Sequence, residues 1–272
     1  MLDNAILVLN GKGGVLKTSV TANLAGLAAL SGWRVLAVDL DPQGNLSRDL
    51  GYTDQSDGGA ELAAAARERR APKPLKEIRP NLDIIPGGPA LHDLVADLQR
   101  SLLQGQLSAA DGVGEALAGV AEDYDLVLID SPPGEALLHA AAIRATHYIL
   151  IPTKADAASI DGLGRVAEVV AREGGANPEL EVLGVIVGPL PVQARALARE
   201  TRLELAELLG PGITIFDITI RDAPRAAVDC RRLGVLAHEY ETAALKAPKW
   251  WTTRKKGGNT ERYSEAATGL AG

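Results

Sequence analysis

Short apolar runs, each ended by glycine, proline or a polar residue, alternate along the chain with alanine-rich stretches of helical character. The runs Ala5–Asn10, Arg34–Leu40, Leu82–Ile85, Leu126–Ile129, Tyr148–Ile151, Val182–Val187 and Ile213–Ile218 read as buried strands. Between most of them lie predicted helices: Thr18–Leu30, closed by Ser31-Gly32, then Ala90–Leu103, Gly114–Ala121, Ser159–Arg172 and Val192–Leu209. Residues 53–60 read as a loop, and residues 61–80 as a short helix followed by a Pro/Lys stretch. This alternation predicts an α/β fold, a mostly parallel twisted sheet with helices on both faces. Ligands of such sheets bind at the carboxyl ends of the strands. The pattern stops at Ala247, so residues 1–246 are expected to form a single domain and 247–272 a part-disordered C-terminal tail.

Composition narrows the class. The chain has 272 residues, 46% of them hydrophobic and 23% charged, as expected of a soluble protein with a substantial core. The single cysteine, Cys230, excludes an intramolecular disulfide and a multi-cysteine metal site, and fits a reducing cytosol. The N-terminus lacks the pattern of a signal peptide. No run reaches the ~18–20 apolar residues that span a bilayer. Aromatic residues make up 3%, too few for a surface that grips single strands by stacking. With a net charge of −7, any nucleic-acid contact has to come from a local basic patch.

The candidate chemistry begins after the first predicted strand. Residues 10–19, NGKGGVLKTS, nearly fit the phosphate-loop pattern G-x-x-x-x-G-K-[ST], with Leu16 where the second glycine is expected. In such a loop successive backbone N–H groups face phosphate oxygens, and the following helix adds partial positive charge. The candidate nucleotide-binding set is Gly11, Lys12, Gly13, Gly14, Val15, Leu16, Lys17, Thr18 and Ser19. Lys17 would reach the β- and γ-phosphates, and the Thr18 hydroxyl would ligate Mg²⁺. A leucine at 16 is tolerable if its φ is negative and costly if it is positive. Its N–H survives either way, so Leu16 reads as a tolerated variant. Two acidic segments end later strands: VDLDPQGN (38–45), with Asp39 and Asp41 two apart, and LVLIDSPPG (126–134), ending its apolar run in Asp130. An aspartate there is what a Mg²⁺-binding phosphate site needs.

Lys12 through Thr18 resembles the deviant Walker A motif, K-G-G-V-G-K-[ST]. VDLDPQGN is similar to that family's switch I, and LVLIDSPPG to its Walker B segment. ILIPTKADAASIDGL (149–163) and TIRDAPRAAVDCRRLGVLAHEY (219–240) resemble its later strand–helix and C-terminal arginine-bearing regions. From about Leu2 to Leu245 the chain most resembles ParA/Soj-type partition ATPases, P-loop NTPases of the deviant Walker A type. The resemblance implies ATP and Mg²⁺ as cofactors and an ATP-dependent homodimer in which Lys12 acts across the interface. It implies Asp41 as the residue that positions the attacking water, and Asp39 and Asp130 as holders of Mg²⁺, mostly through water. Lys12, Lys17 and Asp41 are thus the catalytic candidates. The implied partners are non-specific duplex DNA and a ParB-type centromere-binding protein, on the nucleoid in the cytoplasm, with no membrane.

For DNA the candidates are Arg195, Arg199 and Arg202, spaced along one helix face, and Arg221, Arg225, Arg231 and Arg232. Lys246, Lys249, Arg254, Lys255 and Lys256 add positive charge at the tail. No base-reading motif is present, so binding is expected through phosphates alone. Rival readings are a MinD-like membrane-associated positioning ATPase, in which the tail around Trp250 and Trp251 would be the active surface, a metabolic or redox member of the superfamily, and a nucleotide-binding scaffold without hydrolysis.

Overall fold

The computed structural model describes residues 2–106, 111–175 and 177–246. The expected tail, with Lys249, Trp250, Trp251, Arg254, Lys255 and Lys256, lies outside them. Strands β1 (Leu2–Val8), β2 (Val35–Asp39), β3 (Leu75–Arg79), β4 (Leu82–Ile85), β5 (Leu126–Asp130), β6 (Thr146–Thr153), β7 (Glu181–Leu190) and β8 (Ile215–Arg221) form one sheet. Their order is β3-β4-β2-β5-β1-β6-β7-β8, and every neighbouring pair is parallel except β3 with β4. The helices are α1 (Lys17–Leu30), α2 (Leu46–Leu50), α3 (Ala60–Glu68), α4 (Ala90–Leu103), α5 (Asp111–Ala121), α6 (Ala136–Ala145), α7 (Ala157–Gly174), α8 (Arg195–Leu209), α9 (Pro224–Leu233) and α10 (Ala237–Lys246).

Side chains alternate along each central strand, so one apolar run feeds two cores. In β2, Leu36 and Val38 join a core with residues of α3 to α8, whereas Val35 and Ala37 join one with residues of α1 and α2. In β6, Ile149 and Ile151 take the first side, and Leu150 packs with Val8 and Val20 on the second. The result is the expected sheet with helices on both faces. From β1 the chain passes to β2 on one side, and later to β6, β7 and β8 on the other. The crevice at the carboxyl ends of β1, β2 and β5 therefore lies where the order of strands reverses.

Several elements go beyond the pattern. The Pro/Lys stretch contains β3, an antiparallel edge strand whose register slips between Leu75 and Arg79, where Glu77 has a φ of 55°. None of its five residues is fully buried, so neither an apolar run nor an alternation marks it. Helix α6 runs directly into β6, Ala145 being followed by Thr146, so no turn residue marks the boundary. Residues 53–55, expected as loop, form a short 3₁₀ turn.

One glycine fixes how closely β4 approaches the end of β2. A Cβ on Gly87 would stand 2.5 Å from the Asp39 carbonyl oxygen and 2.8 Å from Asp39 Cγ. Gly87→Ala should therefore lower stability by about 1–3 kcal/mol, the usual cost of overpacking. The check is a urea unfolding midpoint, with Gly162→Ala as control, because a Cβ there meets nothing within 4 Å. An unchanged midpoint for Gly87→Ala would refute the close approach.

Candidate functional site

The loop between β1 and α1 is braced from below. Asn10 is fully buried; its Nδ2 donates to the Pro152 carbonyl at 2.8 Å, and its Oδ1 accepts from the Lys12 N–H at 2.9 Å. No side chain caps α1, and no acidic residue lies in its first turn. Its N-terminal N–H groups and dipole thus face the loop, the arrangement that attracts an anion. Lys17 is buried, and its ammonium donates to the Lys12 carbonyl at 3.0 Å. Burial lowers its pKa, opposed by Asp130 and then Asp41.

Parallel pairing of β2 with β5 sets Asp39 beside Asp130. Both are fully buried. Asp39 accepts from the N–H groups of Asp41 at 2.9 Å and Leu46 at 3.2 Å. Neither Asp130 oxygen accepts a hydrogen bond of ordinary geometry among the described residues. Burial, and then Asp130, push Asp39 well above the usual carboxylate range. Burial likewise pushes Asp130 up to about 7, and the nearby Thr18 hydroxyl and Lys17 ammonium restrain it. Asp41 is nearly buried and accepts from the Gln43 N–H at 2.8 Å.

Such a pair fits a hard divalent cation. The donors are oxygens, two of them buried and unsatisfied, beside a hydroxyl one residue from the buried lysine. Among the described residues no three His, Cys, Asp or Glu side chains converge to cage a metal. A Mg²⁺ held here by Thr18, Asp39 and Asp130 would complete its shell with phosphate and water, as Mg²⁺ commonly does.

Lys12 points away from its own loop. Its ammonium donates to Asp156 Oδ1 at 2.8 Å and Ser159 Oγ at 2.9 Å. Asp156 caps α7, accepting from the Ser159 N–H at 2.9 Å, and the bond from Lys12 is the main cause of its lowered pKa. Sequence reasoning did not single out Asp156, although Asp-x-x-Ser before an apolar run is a helix-start signature. It also missed Asn10, and Lys154, whose ammonium is 3.8 Å from where a Gly14 Cβ would stand.

Leu16 has φ 67° and ψ 16°, the costly case. Left-handed backbone costs a non-glycine residue about 1–2 kcal/mol. The side chain returns part of this by packing on the cluster of Val8, Val20 and Leu150, which Ile186, Phe216 and Ile220 also contact. Leu16 is therefore strained and offset by packing, which a neutral replacement would not be.

The seven candidate DNA arginines stand in different surroundings. Arg195 and Arg221 line the same 280 Å³ cavity, with Val192, Ile218 and Thr219. Arg199 shares a cleft along α8 with Glu200, Glu204 and Glu207, surroundings that disfavour phosphate. Arg202 donates to the carbonyls of Phe216 and Asp217 and to the Thr219 hydroxyl. Arg225 and Arg232 both pair with Asp229. Arg231 turns toward the phosphate-loop side, pairing with Asp49 at 3.1 Å and donating to Asn45 Oδ1 at 3.1 Å. Asp49 in turn accepts from the hydroxyl of Ser19 at 3.1 Å. Spacing of four and three along α8 predicted a shared face; Arg195 and Arg202 both lie by Thr219, Arg202 bonded to its hydroxyl, whereas Arg199 lies among glutamates. Beside the loop lies a mainly apolar cavity of 380 Å³, lined by Leu16, Ser19, Ile220 and Ala226 together with Asp49, Arg231 and Arg221, which thus borders both cavities.

Comparison with known proteins adds relatives to this geometry. A family model described as an AAA domain, AAA_31, matches residues 3–182. Over 186 residues the chain is 36% identical to the chromosome-partitioning ATPase Soj of Thermus thermophilus, covering 67% of this chain and 68% of that protein. It is 31% identical over 188 residues to the chromosome partitioning protein ParA of Myxococcus xanthus, covering 67% of this chain and 63% of that protein. In fold it resembles a point variant of Cyanothece McdA solved in complex with ATP, with a TM-score of 0.68 at 21% identity, covering 99% of this chain and 97% of that one.

The buried acid pair makes stability depend on pH. An unfolded aspartate titrates near ~3.9, and Asp130 titrates at about 7 in the fold. The neutral carboxyl thus contributes fully below the unfolded value, and that contribution is lost as pH rises through about 7. In EDTA without nucleotide, Asp130→Asn should gain in Tm relative to the parent as pH rises from 5 to 8. Magnesium with nucleotide should raise the Tm of the parent more than that of the variant. A Tm difference flat with pH would contradict the burial of an uncompensated carboxylate.

Proposed function

The chain belongs to the ParA/Soj family of partitioning ATPases, and on that premise we propose that it is a Mg²⁺-dependent ATP hydrolase that pairs with a second copy on binding ATP and then holds duplex DNA without reading its sequence. One observation carries this reading: the uncapped start of α1, buried Lys17 and the buried acids Asp39 and Asp130 meet at the carboxyl ends of β1, β2 and β5. Residues 1–246 act as one ATPase domain in this reading, in the cytoplasm on the nucleoid, with a ParB-type partner and a plasmid or chromosome as cargo.

The parts divide the work as follows. Amides of residues 11–19 hold the phosphate oxygens, and Lys17 gives up its bond to the Lys12 carbonyl for the β- and γ-phosphates. The 380 Å³ apolar cavity takes the nucleoside end. Thr18, Asp39 and Asp130 hold Mg²⁺, which offsets phosphate charge. Asp41, already fixed by the Gln43 amide, orients the attacking water. Lys12 leaves Asp156 and reaches the phosphates of the other subunit, where a cation in trans neutralises charge that develops during transfer. Its present pair is exposed by about a third on one side and half on the other, 36% and 46%. Such pairs contribute only about 0.2–1 kcal/mol, so a phosphate displaces Asp156 easily. For DNA, Arg195 and Arg221 form the centre of the contact, and Arg202 and Arg231 serve the protein's own structure.

Lys12→Ala should abolish turnover and keep nucleotide binding, because Lys17 and the loop amides act within the subunit. Full activity in that variant would overturn the trans role. In interferometry with duplex DNA, binding should need ATP and be the same for all sequences. Arg195→Ala and Arg221→Ala should each lower the log–log salt slope by about 1, whereas Arg202→Ala should lower Tm instead. Equal DNA binding with ATP, ADP and no nucleotide would refute the switch, and binding to anionic vesicles in place of DNA would favour the membrane-positioning rival.

A further inference from the structure

Leu16 is the one residue of the phosphate loop that departs from the motif, and beside the fully buried Val15 it is a partly buried apolar contact of the loop. It precedes α1, with its carbonyl accepting from the Val20 N–H at 2.8 Å, and it adopts the left-handed conformation that glycine takes freely. The loop's shape depends on that conformation, because the turn at 16 directs the chain from the glycines into the helix. A leucine left to its own preference would abandon it. Something must hold it. The buried neighbours Val15 and Lys17 fix the chain on either side, and Leu16 adds its own side chain. It packs on the cluster of Val8, Val20 and Leu150, the same cluster that Ile186 of β7 and Phe216 and Ile220 of β8 pack against, and it lines the 380 Å³ cavity together with Ile220.

We propose that Leu16 is a positioning residue, resting on the nucleotide reading above: its isobutyl group, anchored in the Val8–Val20–Leu150 cluster, holds the phosphate loop in its left-handed, binding-ready turn. A glycine at this position would reach the turn by having no side chain. Here the turn is reached by having one that is pinned. Two consequences follow. The loop is ordered before nucleotide arrives, which removes part of the ordering cost of binding. Its shape is also tied to the packing around β8, the strand that ends in Arg221, so a shift of β8 would be felt at the phosphates.

The anchor and the conformation can be separated by substitution. Leu16→Ala keeps the Cβ and loses the anchor. Leu16→Gly loses both the anchor and the need for it. Leu16→Asn tolerates the left-handed region without apolar packing, and Leu16→Met restores an apolar side chain of similar reach. Mg-AMPPNP titration calorimetry should rank affinity as leucine and methionine highest, glycine and asparagine within a few-fold, and alanine lowest, about tenfold weaker, or about 1.4 kcal/mol. In steady-state assays the alanine variant should raise KM by more than it lowers kcat, and methionine should restore both. Amide hydrogen exchange of residues 11–18 without nucleotide should be faster in alanine than in leucine or methionine. Alanine binding as tightly as leucine, or glycine as weakly as alanine, would overturn the proposal. If the parent itself fails to bind Mg-AMPPNP, the nucleotide reading falls, and exchange in the nucleotide-free proteins still decides the role of Leu16. Should the alanine variant not fold, the asparagine–methionine pair decides it: asparagine exchanging many-fold faster than methionine, with weaker binding than glycine, would refute the conformational account.

Discussion

Two carboxylates facing each other in a dry place repel, and the site is organised around that repulsion. The register between β2 and β5 leaves Asp39 and Asp130 no freedom to separate. Burial denies them water, and Gly87 lets the end of β4 close over Asp39. The protein supplies partial answers: two backbone amides for Asp39, the Thr18 hydroxyl and the Lys17 ammonium for Asp130. These leave the pair short of balance, as the raised pKa values of both acids record. In the function proposed above, a divalent cation brought in with phosphate would supply what is missing. Part of the affinity for ligand is then stored in the empty fold as electrostatic imbalance, and the ligand-bound and empty states differ in energy where a switch needs them to differ.

The same crevice organises the loop. β1 delivers the glycines, β2 and β5 deliver the acids, and β6 delivers both the Pro152 carbonyl that braces Asn10 and the Asp156 cap that receives Lys12. Each lysine proposed to meet phosphate has a resting partner that is easy to leave: a carbonyl for Lys17 and an exposed carboxylate for Lys12. The Ser19–Asp49–Arg231 chain of contacts joins the first turn of α1 to α2 and α9. Occupancy of the loop can therefore reach the C-terminal helices through polar contacts, and β8 through the packing of Leu16.

Much of this was legible from residues alone, for a physical reason. Strands of a parallel sheet buried on both faces are apolar throughout, so β2, β4 and β5 stand out, and β4 and α4 match their predicted bounds, Leu82–Ile85 and Ala90–Leu103. Aspartates ending such runs have to lie at the sheet's carboxyl edge, which brought Asp39 and Asp130 together on paper. What depends on long-range packing was not legible. Nothing local says that Gly87 touches Asp39, that Lys12 rests on a residue 144 positions away, or that Leu16 would sit at positive φ. The arginines show the limit most clearly. Charge can be counted in a sequence, but Asp49, Asp229 and the carbonyls of β8, which determine where that charge goes, are assembled only by the fold.

Arg202 carries a meaning apart from charge. β8 closes the sheet, and a terminal strand offers its outward peptide groups to any passing extended chain. The guanidinium of Arg202 takes the Phe216 and Asp217 carbonyls and the Thr219 hydroxyl along that strand. An incoming strand would find those acceptors taken and a bulky cation lying along its track. Such a guard disfavours uncontrolled strand-to-strand growth at this end of the sheet.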